Sequence, residues 1–221
     1  MWLSQVAEGL LECLGEDEAP GGALRLRDVV GRTAPGALPF TVVHDWHARS
    51  VGPLVIEASE RRGVDADRHR AVQSMHERAL AGQRFTEAEW SAVLEPALEA
   101  VYRYAYPYAT AFATAAAAAG SYARAHGHDE VEAEEYGRSY AELNTTANVR
   151  VHAAANARAN ASALAAPFAA ADPVAYAGAY PFAHVRAYVL AYAANERSRE
   201  RDARERLAEG LADSLARAEH R

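Results

Sequence analysis

Histidine, tyrosine and asparagine are the side chains that could do chemistry at neutral pH in this sequence, and they recur in two ladders at four-residue spacing. One ladder is Tyr136, Tyr140, Asn144, Asn148, His152, Asn156 and Asn160. The other is Tyr176, Tyr180, His184, Tyr188 and Tyr192, with Asn195 in the same angular sector. Four residues carry an α-helix about 40° past a full turn, so the second ladder spreads over about 160° of one face. The first winds further, and its two ends must meet different neighbours. Asparagine is a poor interior helix residue, and exposed helical positions here are Arg and Glu, as in 196–206. The ladders therefore predict inward-facing polar groups, which either bond one another between packed helices or line a cavity. Imidazole titrates near neutrality, so His184 and His152 are the acid–base candidates, joined by Tyr180 one turn before His184. Tyr140, Asn144, Asn148, Asn156, Tyr176, Tyr188 and Asn195 are the candidate ligand-binding residues.

A second constellation is His44-Asp45-Trp46-His47. Spacing of i,i+3 places both imidazoles on one helical face, with Asp45 available to orient one of them. No third ligand is fixed by the sequence and no metal is expected. The competing reading is an N-cap Asp45 with an anchoring Trp46. His44, Asp45 and His47 are carried as candidate ligand-binding residues. His126 and His128 precede the acids Asp129, Glu130, Glu132, Glu134 and Glu135, which a helix N-terminus favours without any ion.

Several chemistries lack their motifs. The sequence contains no Glu-x-x-His, His-Glu-x-x-His, phosphate-binding glycine loop or Gly-x-Ser-x-Gly. It has no lysine, which removes Schiff-base and pyridoxal-phosphate chemistry. Cys13 stands alone, so neither a disulfide framework nor a cysteine-based metal site is expected. An enzyme built on these residues would work without a bound cofactor, through His, Tyr, Asn and Arg.

The elements that must hold these groups are helices. Of 221 residues 54 are alanine, and the formal net charge is −7, which argues against a nucleic-acid partner. The N-terminus has no basic segment of the signal-peptide kind. The uncharged stretch Tyr104–Ala123 is long enough to span a bilayer, but Ala, Thr and Pro dominate it and no membrane association is expected. Hydrophobic periodicity and caps predict helices over 2–14, from near Asp45 to Arg62 with a bend at Gly52-Pro53, over 67–80, and from Thr86, whose Thr-x-x-Glu is a capping box. Residues 27–38 read as irregular. Three long Ala-rich segments follow, over 87–124, 129–166 and from Asp172-Pro173 to the C-terminus, the first and third kinked at Pro107 and Pro181. Ala105-Tyr106-Pro107-Tyr108-Ala109 echoes Ala179-Tyr180-Pro181-Phe182-Ala183.

The expected architecture is one all-α domain over 1–221, a multi-helix bundle with a helical portion at 1–82 and an Ala-rich long-helix core at 86–221. The leading functional expectation is a cytoplasmic protein with an internal Tyr/Asn/His-lined pocket. It would bind, or transform without a cofactor, a small organic molecule or peptide of specialised metabolism. The alternative is a non-enzymatic interaction protein, an adaptor or immunity-type partner, whose Ala-rich helices pack closely and oligomerise. Leu207, Leu211 and Leu215 form a narrow seam for docking on the body or for a homodimer.

Overall fold

The computed structural model describes residues 2–11, 21–32, 38–105, 108–194 and 196–219. It is an all-α multi-helix bundle, with no strand among the described residues. In chain order the helices are α1 (Trp2–Leu11), α2 (Gly21–Arg32), α3 (Thr41–Trp46), α4 (Gly52–Arg61), α5 (Asp67–Leu80), α6 (Glu87–Ala105), α7 (Tyr108–Ala125), α8 (Glu130–Ala170), α9 (Pro173–Gly178), α10 (Pro181–Ala193) and α11 (Arg197–Glu219). No described helix is long and apolar enough to cross a membrane.

Local chemistry sets most boundaries. Thr86 and Glu89 form the capping box of α6: the Thr86 amide donates to the Glu89 carboxylate at 2.7 Å, and the Glu89 amide donates to the Thr86 hydroxyl at 3.3 Å. Asp129 caps α8, accepting from the Glu132 amide at 2.9 Å. Asp172 accepts from the amides of Val174 and Ala175 ahead of Pro173. The expected last helix is instead three, broken where Tyr180 and Ala194 take left-handed φ of 52° and 49°. Pro181 thus starts a helix, since its ring suits the first turn and forbids continuation from the turn before. Residues 106–107, which include the expected kink at Pro107, lie outside the described residues.

Helix α2 corrects the irregular reading over 27–32. Gly21, Gly22 and Gly31 disfavour a helix, yet the Gly22 amide donates to the Glu205 carboxylate at 2.6 Å, so α2 is fixed by α11 rather than by its own propensity. The core cluster draws on α1 to α6, the C-terminal part of α8, and α9 to α11. Leu207, Leu211 and Leu215 are buried in it, so their seam docks on the body and is not available to a second subunit.

The small residues of α7 and of the N-terminal part of α8 stand apart from that cluster. Helix α7 packs on α8 and makes no comparable contact with any other helix. A Cβ on Gly137 would lie 2.4 Å from the Ala116 carbonyl oxygen, and one on Gly120 would lie 3.1 Å from that of Ala133. The two backbones therefore meet closely, and α7 with the N-terminal part of α8 forms an arm extending from the body. Along α8, Ala133, Gly137, Ala141, Thr145, Ala153, Ala157, Ala161 and Ala165 form a buried stripe at four-residue spacing, joined near the C-terminal end by Leu164, Pro167 and Phe168.

Candidate functional site

Helices α3, α5, α9 and α10 bring histidine and tyrosine together in the body. His44 and His47 are one turn apart and both buried, as the i,i+3 spacing predicts. Between α3 and α4 the chain makes one π turn, His47–Val51, in which the Gly52 amide donates to the His47 carbonyl five residues back. Pro53 follows and has no N–H to continue an α ladder. The Ala48 carbonyl loses its usual donor in this turn and accepts instead from Gln73 Nε2 of α5 at 3.0 Å. The widened turn and α5 therefore hold each other in place.

The centre of the cluster is His76 on α5, which sequence reasoning missed. Its Nδ1 lies 2.9 Å from His44 Nδ1, its ring stacks on His47 at 4.6 Å, and Trp90 and Phe168 pack at 4.8 and 4.9 Å. Two facing Nδ1 atoms can share only one proton, and with burial keeping both rings neutral they take opposite tautomers. His76 Nε2 is buried with no hydrogen-bond partner. The signal for His76 was present: His69 and His76 are seven residues apart, hence on one face of α5, and both are buried.

Burial sets the titration of the whole group. It pushes His44 and His184 down to about 4 and His47 to about 3, the last also by repulsion from His44 and His184. His76 is held well below the ordinary imidazole value, first by burial and then by His47 and His44. His69 falls to about 4 through burial and the nearby Arg68 and Arg62, against a smaller opposing pull from Asp65. Burial raises the phenols of Tyr176 and Tyr188.

His184 is fully used by the fold. Its Nε2–H donates to the Ala179 carbonyl at 3.1 Å, so its Nδ1 accepts from the Tyr102 hydroxyl at 3.2 Å. It ties the break between α9 and α10 to α6. Tyr176 reaches His47 Nε2 at 3.4 Å, and the Tyr188 ring lies 6.3 Å from that of His47. Asp45 departs from its expected role. On the helix it points away from both imidazoles toward α11, where it accepts from Arg49 and Ser214 at 2.9 Å each and from Arg217 at 2.6 Å. Those bonds hold its carboxyl below the usual range against the opposing effect of burial. It caps no helix and orients no histidine.

The cavity beside this cluster is about 30 Å³, reached by His47, His69, Gln73, His76 and Tyr188. Two larger hollows are open grooves, one of about 520 Å³ along α6 beside Glu95 and Glu99, and one of about 310 Å³ on the arm between Phe112 and Arg138. Among the described residues no group of three His, Cys, Asp or Glu side chains could hold a metal ion.

The ladder of α8 does not enter the body. Each of its members directly precedes a position of the four-residue progression that carries the buried stripe, so it sits about 100° away and follows the stripe along its outer side. Tyr136, Tyr140, His152 and Asn156 are exposed. Asn144 and Asn160 donate to carbonyls one turn back in their own helix, those of Tyr140 and Asn156, at 2.8 Å each. The expectation that these residues line an enclosed space is corrected accordingly. In the other ladder Tyr180 is 74% exposed at the helix break, while Tyr176, His184, Tyr188 and Tyr192 are buried. Asn195 and the side chain of Asn148 lie outside the described residues. What α8 presents outward is an apolar seam of Tyr136, Tyr140, Leu143, Ala147 and Val151, all exposed, with Leu143 at 83%.

Comparison with known protein families, with curated proteins and with solved structures finds no match to this chain.

Proposed function

We propose that this chain is an interaction protein, a helical body that presents the α7–α8 arm to a protein partner. One observation carries the proposal: large apolar side chains line up on the exposed face of α8, along the part that pairs with α7, a helix with no comparable contact elsewhere. Water-exposed apolar surface of that kind marks a contact site. The body supports the same choice. Its cavity of about 30 Å³ has room for one or two waters, whereas small-molecule sites run to about 300–1,000 Å³.

The experiment places a photo-crosslinking benzoylphenylalanine at position 143 of the full chain in cells, with position 24 on α2 as an exposed control. Leu24 is 53% exposed on the body. A discrete adduct from position 143 and none from position 24 is expected. Absence of an adduct from position 143 refutes the proposal.

A second function rests on His76, whose unpartnered Nε2 borders the cavity. In it a small hydrogen-bonding ligand enters when α5 shifts, and His76 or His47 serves as a neutral base. Thermal-shift screening against metabolites tests it. A compound that raises the midpoint of the wild type but not of His76→Phe supports it, because binding to the folded state alone is stabilising. Equal shifts in both proteins would count against it.

A further inference from the structure

Resting on the arm as the interaction surface, we infer that the partner is a second copy of this chain and that the two α8 helices pair antiparallel about a two-fold axis near Leu143. Tyr136, Tyr140, Leu143, Ala147 and Val151 advance by four, three, four and four residues. At about 100° per residue they stay within about 80° of one another, the width of a two-helix seam. All five are exposed in the single chain. An antiparallel pair centred at Leu143 sets Tyr136 against Val151 and Tyr140 against Ala147 of the other copy, a large ring against a smaller side chain at each level.

Charge decides the direction. Asp129, Glu130, Glu132, Glu134 and Glu135 crowd the beginning of α8, whereas residues 143–170 contain no acid and carry Arg150 and Arg158. Parallel pairing would set acid against acid along the first two turns. Antiparallel pairing sets each acidic end beside the arginines of the other copy. Glu132 and Arg150 are eighteen residues apart, five full turns, and so share one edge of the seam. Like edges face each other in an antiparallel pair, which brings Glu132 of each copy within about one helical turn of Arg150 of the other. Charges so placed set orientation and partner choice more than raw affinity.

The test uses the full chain. Sedimentation across the micromolar range is expected to show a species of twice 23.8 kDa. Leu143→Glu should raise the dimer dissociation constant by about tenfold or more, the size of effect that marks a central interface residue. Because Leu143 is 83% exposed, the helical circular dichroism should not change. Arg150→Glu should weaken the dimer, and adding Glu132→Arg should restore it. In a Cys13→Ser background, Leu143→Cys should oxidise to a disulfide-linked dimer while Tyr136→Cys should not. A dimer that ignores Leu143→Glu overturns the inference, and a dimer crosslinked equally well through Tyr136→Cys overturns the antiparallel arrangement. A chain that stays monomeric overturns self-pairing. If position 143 then still yields a photo-adduct of another mass, the arm remains an interaction surface and only the second copy falls. No adduct at all removes both.

Discussion

Lowering the pH from about 7 to about 5.5 should remove about 5 kcal/mol of folding stability, because five buried imidazoles cannot accept the protons that the unfolded chain takes up. An unfolded histidine titrates near about 6.5, whereas His44, His69 and His184 are pushed down to about 4, His47 to about 3, and His76 is held well below the ordinary value. A depressed folded-state value means that the folded state binds fewer protons. Stability is therefore full above about 6.5, declines below it, and levels off once the folded imidazoles protonate near 3 to 4. At pH about 5.5 each group costs about 1 kcal/mol relative to pH about 7, hence about 5 kcal/mol for five, against a typical total of about 5–15 kcal/mol. Carboxylates do not offset this window. Asp45 is turned toward α11, and Asp65 acts on His69 against the stronger effects of burial and arginine. The assay is urea unfolding followed by tryptophan fluorescence, since Trp90 packs on His76. At a urea slope of about 2–3 kcal/mol per molar, the midpoint should fall by about 2 M. His69→Leu should reduce that fall by about a fifth, as one of five similar contributions. A midpoint that moves by less than about 0.5 M would refute the burial of neutral histidines on which the calculation rests.

Two substitutions probe the joints of the fold. Gly137→Ala should destabilise the arm although alanine is the better helix former by about 1 kcal/mol, because its methyl would sit 2.4 Å from the Ala116 carbonyl; faster amide exchange across 111–145 with an unchanged body is the expected result. Gln73→Leu should cost about 1–3 kcal/mol by leaving the Ala48 carbonyl without its donor; a thermal midpoint equal to wild type would show that the π turn does not depend on α5.

Helix type was legible in this sequence where a boundary is written in adjacent residues. Thr86 with Glu89, Asp129 with Glu132, and Asp172 with Pro173 are short-range devices, and each sits where it was expected. Helix α2 was not legible, because the Glu205 carboxylate that holds Gly22 comes from 183 residues away. The direction of the α8 ladder was hidden by a different effect. Two stripes at four-residue spacing run side by side there, one of Tyr, Asn and His and one of Ala, Gly and Thr. Close helix approach selects the smaller, since only the small stripe lets the α7 backbone come near, and the larger side chains are left outside. The histidine cluster was half legible: His44 and His47 were found through their own spacing, while His76 needed the seven-residue match with His69 and a tertiary fold to bring α5 over α3.

Alanine repeated every fourth residue has a cost in alignment. Slide one smooth rod along another by a single turn, and nearly the same methyl groups meet nearly the same hollows. Gly120 and Gly137 are the two notches that break this sameness, each accepting a carbonyl edge that the neighbouring positions would repel. Filling both would leave α7 and α8 paired but free to settle in more than one register, and a face presented from such a ruler would no longer keep its marks in line.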